Sequence, residues 1–343
     1  MGNLSRRAFS LGAAFLALAS SALSRVSPKG IRTRLILAPS SLGLRPETEG
    51  HVPGTRRAPA ALLAAGLQAQ IGAETVVPLP EPKYQFGAQP GTRIRNGNTI
   101  RSFSLSIGDA VYAAIEDRRF AVVVGGDCSI LLGGLYGLRR SGGRGLVHID
   151  GHSDFVYPAT YDTKTRLGAV AGMDLALATG RGEALLTEWP GVEGPLVREE
   201  DAIQIGERNS LDPDYDKYYG DLVRTPITRL VVQDVLKMGI PAAANAALVR
   251  MAARNLNASW MHLDLDVLDQ VVMPAVDSPG SPGLDFAQLS ELVGRLLSSG
   301  RFRGVTVAIY DPEKDPGRRY AHAIVKALGD AFRLAQAIDG HRT

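Results

Sequence analysis

The chain has 343 residues, 45% of them hydrophobic, with a formal charge of +3 from 38 Lys and Arg against 35 Asp and Glu, and 1 cysteine. That content fills one large or two small cores, while a single cysteine excludes an intrachain disulfide framework. The near-neutral balance, without basic clusters, gives no reason to expect nucleic acid as a partner.

The chain opens on "NLSRRAFSLGAAFLALASSALS", where Arg6 and Arg7 precede an apolar run from Phe9 to Leu23. The run is about 15 residues, short of the roughly 20 that span a bilayer. The Ser-Arg-Arg-x-Phe order predicts a twin-arginine-type signal over residues 1–24, hence a periplasmic or secreted protein with no membrane partner once the signal is removed. A single domain over residues 30–340 is expected to follow.

Residues 35–38 (LILA) read as a buried strand, 58–72 as a helix, and the Pro/Gly-rich 78–98 as a long loop. A helix over 104–119 leads into the strand 120–124 (FAVVV). Strands follow at 145–149, 202–205 and 229–232, then a helix at 243–256 and a strand at 259–263. A Pro/Gly-rich loop at 270–283, a helix at 286–299, a strand at 303–309 and a helix at 319–338 complete the chain. Continuously apolar strands alternating with helices predict an α/β fold, a mostly parallel sheet covered on both faces.

In such sheets ligands bind beyond the carboxyl ends of the strands. Three of the predicted strands end there in ligand-type residues: "GGDCS" in Asp127 and Cys128, "HIDGHSD" in Asp150, His152 and Asp154, and "HLDLDVLD" in Asp264, Asp266 and Asp269. The i, i+2, i+4 spacing of Asp150, His152 and Asp154 turns all three toward one face of extended backbone. Buried together without a counter-ion, such groups are costly, and a divalent cation removes the cost. Mixed carboxylate and imidazole donors suit manganese, with zinc, nickel or iron as alternatives, and five of them suffice for two ions that ionise water near neutral pH. Cys128 has three readings: metal ligand, small packed residue, or nucleophile. His148 and His262 share the strand parity of Asp150 and Asp264, and His262 is a candidate to orient Asp264. Tyr157, Tyr161 and Arg166 follow the second motif in a site-facing loop, as substrate contacts or as simple aromatic packing. His51 and His322 lie outside the motifs.

Together the motifs "GGDCS", "DGHSD" and "DLDVLDQ", with the Pro/Gly loop "MPAVDSPGSPGLDF" after the third, resemble the signatures of the arginase and agmatinase superfamily, the ureohydrolases, over roughly residues 33–338. The resemblance implies a three-layer α/β/α domain, a trimeric or hexameric assembly, a small-molecule substrate and hydrolysis of a linear C–N bond (guanidino, formimino, amidine or amide) by water activated on a manganese pair. It implies Asp150 and Asp264 as bridging ligands, His152 and Asp266 on one ion, and Asp154 and Cys128 on the other, with Asp154 also catalytic. It departs from the family at three positions. Cys128 stands where the family has His, and a thiolate favours zinc or iron over manganese. Ala171 falls at the family's catalytic His, and Ile309 at its guanidinium-binding Glu. Beside the hydrolase stands a second reading, a non-catalytic descendant that binds metal or ligand.

Overall fold

The computed structural model describes residues 31–340; the signal read over residues 1–24 lies outside them. Eight strands, β1 (Thr33–Ala38), β2 (Ala73–Pro78), β3 (Phe120–Gly125), β4 (Gly145–Ile149), β5 (Ala202–Ile205), β6 (Thr228–Leu230), β7 (Ser259–Asp264) and β8 (Phe302–Ala308), form one sheet. Its order is β2-β1-β3-β8-β7-β4-β5-β6, and every pairing is parallel. The central strands are buried along their whole length, as residues covered on both faces must be.

Seven of the eight strands coincide with the apolar runs. The missed one, β2, is an edge strand whose "AETVVP" is mostly exposed, so it carries no buried-strand pattern. The predicted helix over 58–72 is two short helices, Ala58–Ala64 and Leu67–Gln70, separated at Gly66, whose φ is +95°. The helix expected at 104–119 runs instead over Gly97–Glu116, and the segment 229–232 ends its strand at Leu230 and enters a helix, Val232–Met238. The helix Ile130–Arg140 also escaped its sequence, because the three glycines of "ILLGGLYGLRR" offset its leucines and arginines. Its glycines have a packing reason. A Cβ on Gly133 would lie 2.6 Å from Ile107 Cβ and 2.9 Å from the Ser104 carbonyl oxygen, both on the neighbouring helix Gly97–Glu116. Among the described residues no helix is long and apolar enough to cross a membrane.

The four central strands β3, β8, β7 and β4 end side by side, and their carboxyl ends carry Asp127–Cys128, Ile309, Asp264 and Asp150 respectively. One pleat deeper, the register aligns Gln204, His148, His262 and Thr306 in a row across β5, β4, β7 and β8. All four are fully buried.

Candidate metal centre

After β3 the chain leaves the sheet at Gly126, where a Cβ would lie 1.5 Å from the Ser40 carbonyl oxygen; only glycine fits. Asp127 braces this turn. Its carboxylate accepts from Ser40 Oγ (2.6 Å), Gly43 N (3.0 Å) and Ser129 N (2.9 Å). It is thus a structural group, and it leaves the next residue, Cys128, pointing at the other motifs. Cys128 is fully buried, and its Sγ donates to Asp264 Oδ2 at 2.7 Å.

The second and third motifs interlock. Asp150 Oδ1 accepts from the His152 backbone N at 2.6 Å. His152 Nδ1 meets Asp266 Oδ2 at 2.8 Å, and Asp266 Oδ1 accepts from Gly151 N at 3.1 Å. Asp264 Oδ1 accepts from the Asp266 backbone N at 2.7 Å. Arg208, itself buried, donates to the backbone carbonyls of Asp266 and Pro282 and fixes this corner from behind. Asp154 sits in the left-handed region (φ +43°), a conformation uncommon for a non-glycine residue.

These carboxylates are crowded and buried. Burial, then the charge of Asp266, pushes Asp150 up to about 7, against the pull of His148 and His152. Burial with Asp150 holds Asp154 well above the usual carboxylate range, and burial with Asp266 does the same to Asp264. Burial opposes the His152 imidazolium, yet Asp266 and Asp150 outweigh it and raise it to about 9. Asp266 moves the other way, lowered by His152 and Arg208 although burial resists. Each shift expresses a need for positive charge.

A divalent cation fits that need. Donor atoms of Asp150, His152 and Asp266 lie within 4.8 Å of one another, and Asp150 Oδ2 is a buried oxygen with no hydrogen-bond partner. Cys128, Asp150, Asp154 and Asp264 do not converge in the same way. Among the described residues no three of them form such a set, and Asp264 Oδ2 accepts from the thiol instead.

Other residues resolve differently. His262 does not orient Asp264. Its Nδ1 pairs with Thr306 Oγ1 at 2.7 Å, and its Nε2 faces Asp174. Side chains two residues apart along a strand are nearly 7 Å apart, whereas the neighbouring strand lies about 4.8 Å away. His148 Nε2 is 3.2 Å from Asp174 Oδ1. Asp174 is the buried group that motif reading missed; its only signal is an acid inside the apolar run "GMDLALA". Asp269 organises its own loop, accepting from Val271 N, Gly283 N and Ser281 Oγ, away from the centre. Tyr157 donates to Asp221. His51 pairs with Glu313 on the surface, and His322 is exposed on its helix.

A cavity of about 450 Å³ opens over the centre. His152, Asp154, Asp264 and Asp266 line it, as do Arg45, Tyr161, Arg166 and Tyr219. Ala171 and Ile309 also line it, so the two departures from the resemblance face the same space as the metal-type donors. Ile309 has φ +74°, a strained conformation for a β-branched residue, with its N–H donating to the Gly126 carbonyl at 2.6 Å. Arg45 is exposed at the cavity's rim. Partial burial, then the charges of Arg166 and Arg95, lowers its pKa.

The model of the arginase family matches residues 34–333. An arginase of Staphylococcus aureus is 25% identical over 309 residues, covering 87% of this chain and 96% of that one. An arginase of Bacillus caldovelox is 27% identical over 248 residues, covering 71% and 79%. In solved structures, the Bacillus subtilis arginase superimposes with a TM-score of 0.72 at 21% identity, over 88% of this chain and 98% of that one. The formimidoylglutamase of Bacillus subtilis does so with 0.65 at 18% identity, over 90% and 89%.

Proposed function

The chain belongs to the arginase family, and on that premise we propose that it is an exported, metal-dependent hydrolase of a linear C–N bond whose substrate carries an anionic group. The observation that carries this reading is the convergence of Asp150, His152 and Asp266 at a cavity also lined by Asp154 and Asp264.

Asp150, His152 and Asp266 would hold one divalent ion, with Asp264 and Asp154 completing a second position. Manganese is the metal of the family resemblance, and Cys128 widens the choice to zinc, nickel or iron. When bound, the ions would ionise water near neutral pH and offset negative charge developing on the substrate. Asp154, beside the cavity, is suited to accept a proton from the attacking water. Ala171 offers nothing to the leaving amine. Burial keeps the phenols of Tyr161 and Tyr219 protonated across the neutral range, so both remain O–H donors inside the cavity. Ile309 gives no anchor for a cation. Arg45 and Arg166 crowd two guanidinium groups against the same space, which favours a carboxylate or similar anion. An acidic molecule fits these walls better than one whose only charge is cationic, and among the C–N groups considered the amide, uncharged at neutral pH, depends least on the anchor that Ile309 lacks.

A non-catalytic, metal- or ligand-binding descendant is favoured by the same two residues, Ala171 and Ile309. Metal analysis combined with an ammonia- and urea-release screen over guanidino, formimino and amide compounds separates the two. Turnover abolished by Asp154→Asn with metal retained supports the hydrolase. No turnover of any compound by protein carrying its metal supports the descendant.

Export has its own test. Arg6→Lys with Arg7→Lys is expected to retain folded precursor in the cytoplasm of the producing cell. Undiminished export of the double variant removes the twin-arginine reading.

A further inference from the structure

Beneath the acid cluster lies a second group of donors, of which the proposed hydrolase invokes only Cys128, in its choice of metal. Cys128 Sγ, a carboxylate oxygen of Asp174 and a ring nitrogen of His262 lie within 4.8 Å of one another, and all three residues are fully buried. Two of their atoms have no hydrogen-bond partner, Asp174 Oδ2 and His262 Nε2, and these two face each other at 3.4 Å.

The network around them fixes what they present. Thr306 Oγ1 accepts from Trp260 Nε1 at 3.3 Å and reaches the Met261 carbonyl at 3.4 Å. With Thr306 Oγ1 donating to the Met261 carbonyl, a proton on His262 Nδ1 is donated to Thr306 Oγ1 at 2.7 Å, and this is the tautomer the site proposed below requires. Nε2 then holds a lone pair 3.4 Å from a carboxylate oxygen. Two acceptors so close repel unless a positive charge joins them. Two N and O ligands of one tetrahedral zinc ion sit about 3.3 Å apart, given metal–donor distances near 2.0–2.1 Å. The observed 3.4 Å already has that spacing.

The surroundings are those of ligands held for metal. His148 Nε2 meets Asp174 Oδ1 at 3.2 Å, which orients the carboxylate and leaves Oδ2 free, and the His148 ring stacks on His262 with centroids 5.0 Å apart. Thr306 does the same for His262.

We infer that Cys128, Asp174 and His262 form a second, deeper metal site that takes a borderline or soft divalent ion, zinc or ferrous iron, rather than manganese. One sulfur, one imidazole nitrogen and one carboxylate oxygen make a donor set of that preference. Occupying it replaces the S–H···O contact to Asp264 with a sulfur–metal bond, and the thiol proton leaves to solvent. Asp264 Oδ2 is thereby released toward the upper cluster. The site explains why this chain has a cysteine at 128 together with an acid at 174 and an imidazole at 262: each is a donor to the same point.

The test uses metal-depleted full-length protein titrated with cobalt(II), which reports thiolate ligation through a sulfur-to-cobalt charge-transfer band in the near ultraviolet. Wild type is expected to show that band, and Cys128→Ser to lose it along with one metal equivalent. Asp174→Asn and His262→Gln should weaken cobalt at this site at least ~10-fold, and Thr306→Val, which removes no ligand, by ~10- to 100-fold. His152→Ala is expected to keep the band while losing the upper ion. Cobalt bound by wild type with no sulfur band overturns the inference, whatever the variants do. A band that persists at unchanged affinity in both Asp174→Asn and His262→Gln also overturns it. A band in wild type, with metal content unchanged in His152→Ala, leaves the deep site standing and removes the upper metal centre on which the hydrolase reading rests.

Discussion

Replacing Asp150 by Ala is expected to abolish both turnover and the stabilisation that added metal brings. In wild type, added manganese should raise the unfolding temperature, because an ion at 100 times its dissociation constant stabilises the native state by about 2.7 kcal/mol. In Asp150→Ala that rise should vanish, since Asp150 contributes to the convergent set and carries an unpartnered oxygen toward it. Without metal the order reverses. Asp150 is buried among Asp154, Asp264 and Asp266, each of which resists its charge or is resisted by it. Its removal relieves that repulsion, so metal-free Asp150→Ala should be at least as stable as metal-free wild type. Differential scanning with manganese and with chelator checks both halves. A carboxylate with a purely structural role would lower the unfolding temperature equally in both conditions, and that outcome would contradict the metal assignment.

The second large effect concerns the walls. Arg166→Glu, and separately Arg45→Glu, is expected to cut kcat/KM for an acidic substrate by ~100- to 1,000-fold, about 3–4 kcal/mol of lost and reversed interaction. The primary-amide analogue of the same substrate should change little. Before a substrate is in hand, the same contrast is measurable with short carboxylates against short alkylamines in a thermal-shift binding assay. Wild type should respond to the carboxylates, and the charge-reversed variants to the amines. A wild-type protein stabilised by alkylamines alone would show that Glu47 and Asp277, which share the cavity, set its specificity instead.

The sheet was readable because its strands are short apolar runs, too short for helices and bounded by polar or glycine-rich segments. Burial on both faces of β3, β4 and β7 left no polar alternation to confuse with helix. β2 lay outside that logic, since an edge strand with exposed side chains is held by backbone pairing to β1 rather than by its own hydrophobicity. The helix Ile130–Arg140 was hidden by glycines chosen for close approach to its neighbour rather than for helix propensity. In the site, Asp150 and His152 do come together, but beyond the end of β4, where the chain bends and Asp154 turns left-handed, so a period of two along extended backbone is not what unites them. What the period leaves out is depth. It assigned His262 to the face of Asp264, but which atoms meet depends on interstrand register, and there His262 finds His148 and Thr306. Asp174 was not foreseen because its significance lies in contacts with strands far away in sequence.

The strand order has a consequence for the making of the protein. β8, the last strand in the chain, lies in the middle of the sheet, between β3 and β7. Until residues 302–308 leave the ribosome, the strands already made can pair only as two separate sets, β2-β1-β3 and β7-β4-β5-β6. Each ends on an apolar strand whose backbone donors and acceptors await a partner, the kind of edge that invites association between chains. Synthesis delivers the amino-terminal part first, so that edge stays open for most of translation. Chaperone demand should therefore concentrate in the interval before the final strand inserts, and chains truncated ahead of Phe302 should aggregate rather than persist as smaller soluble folds.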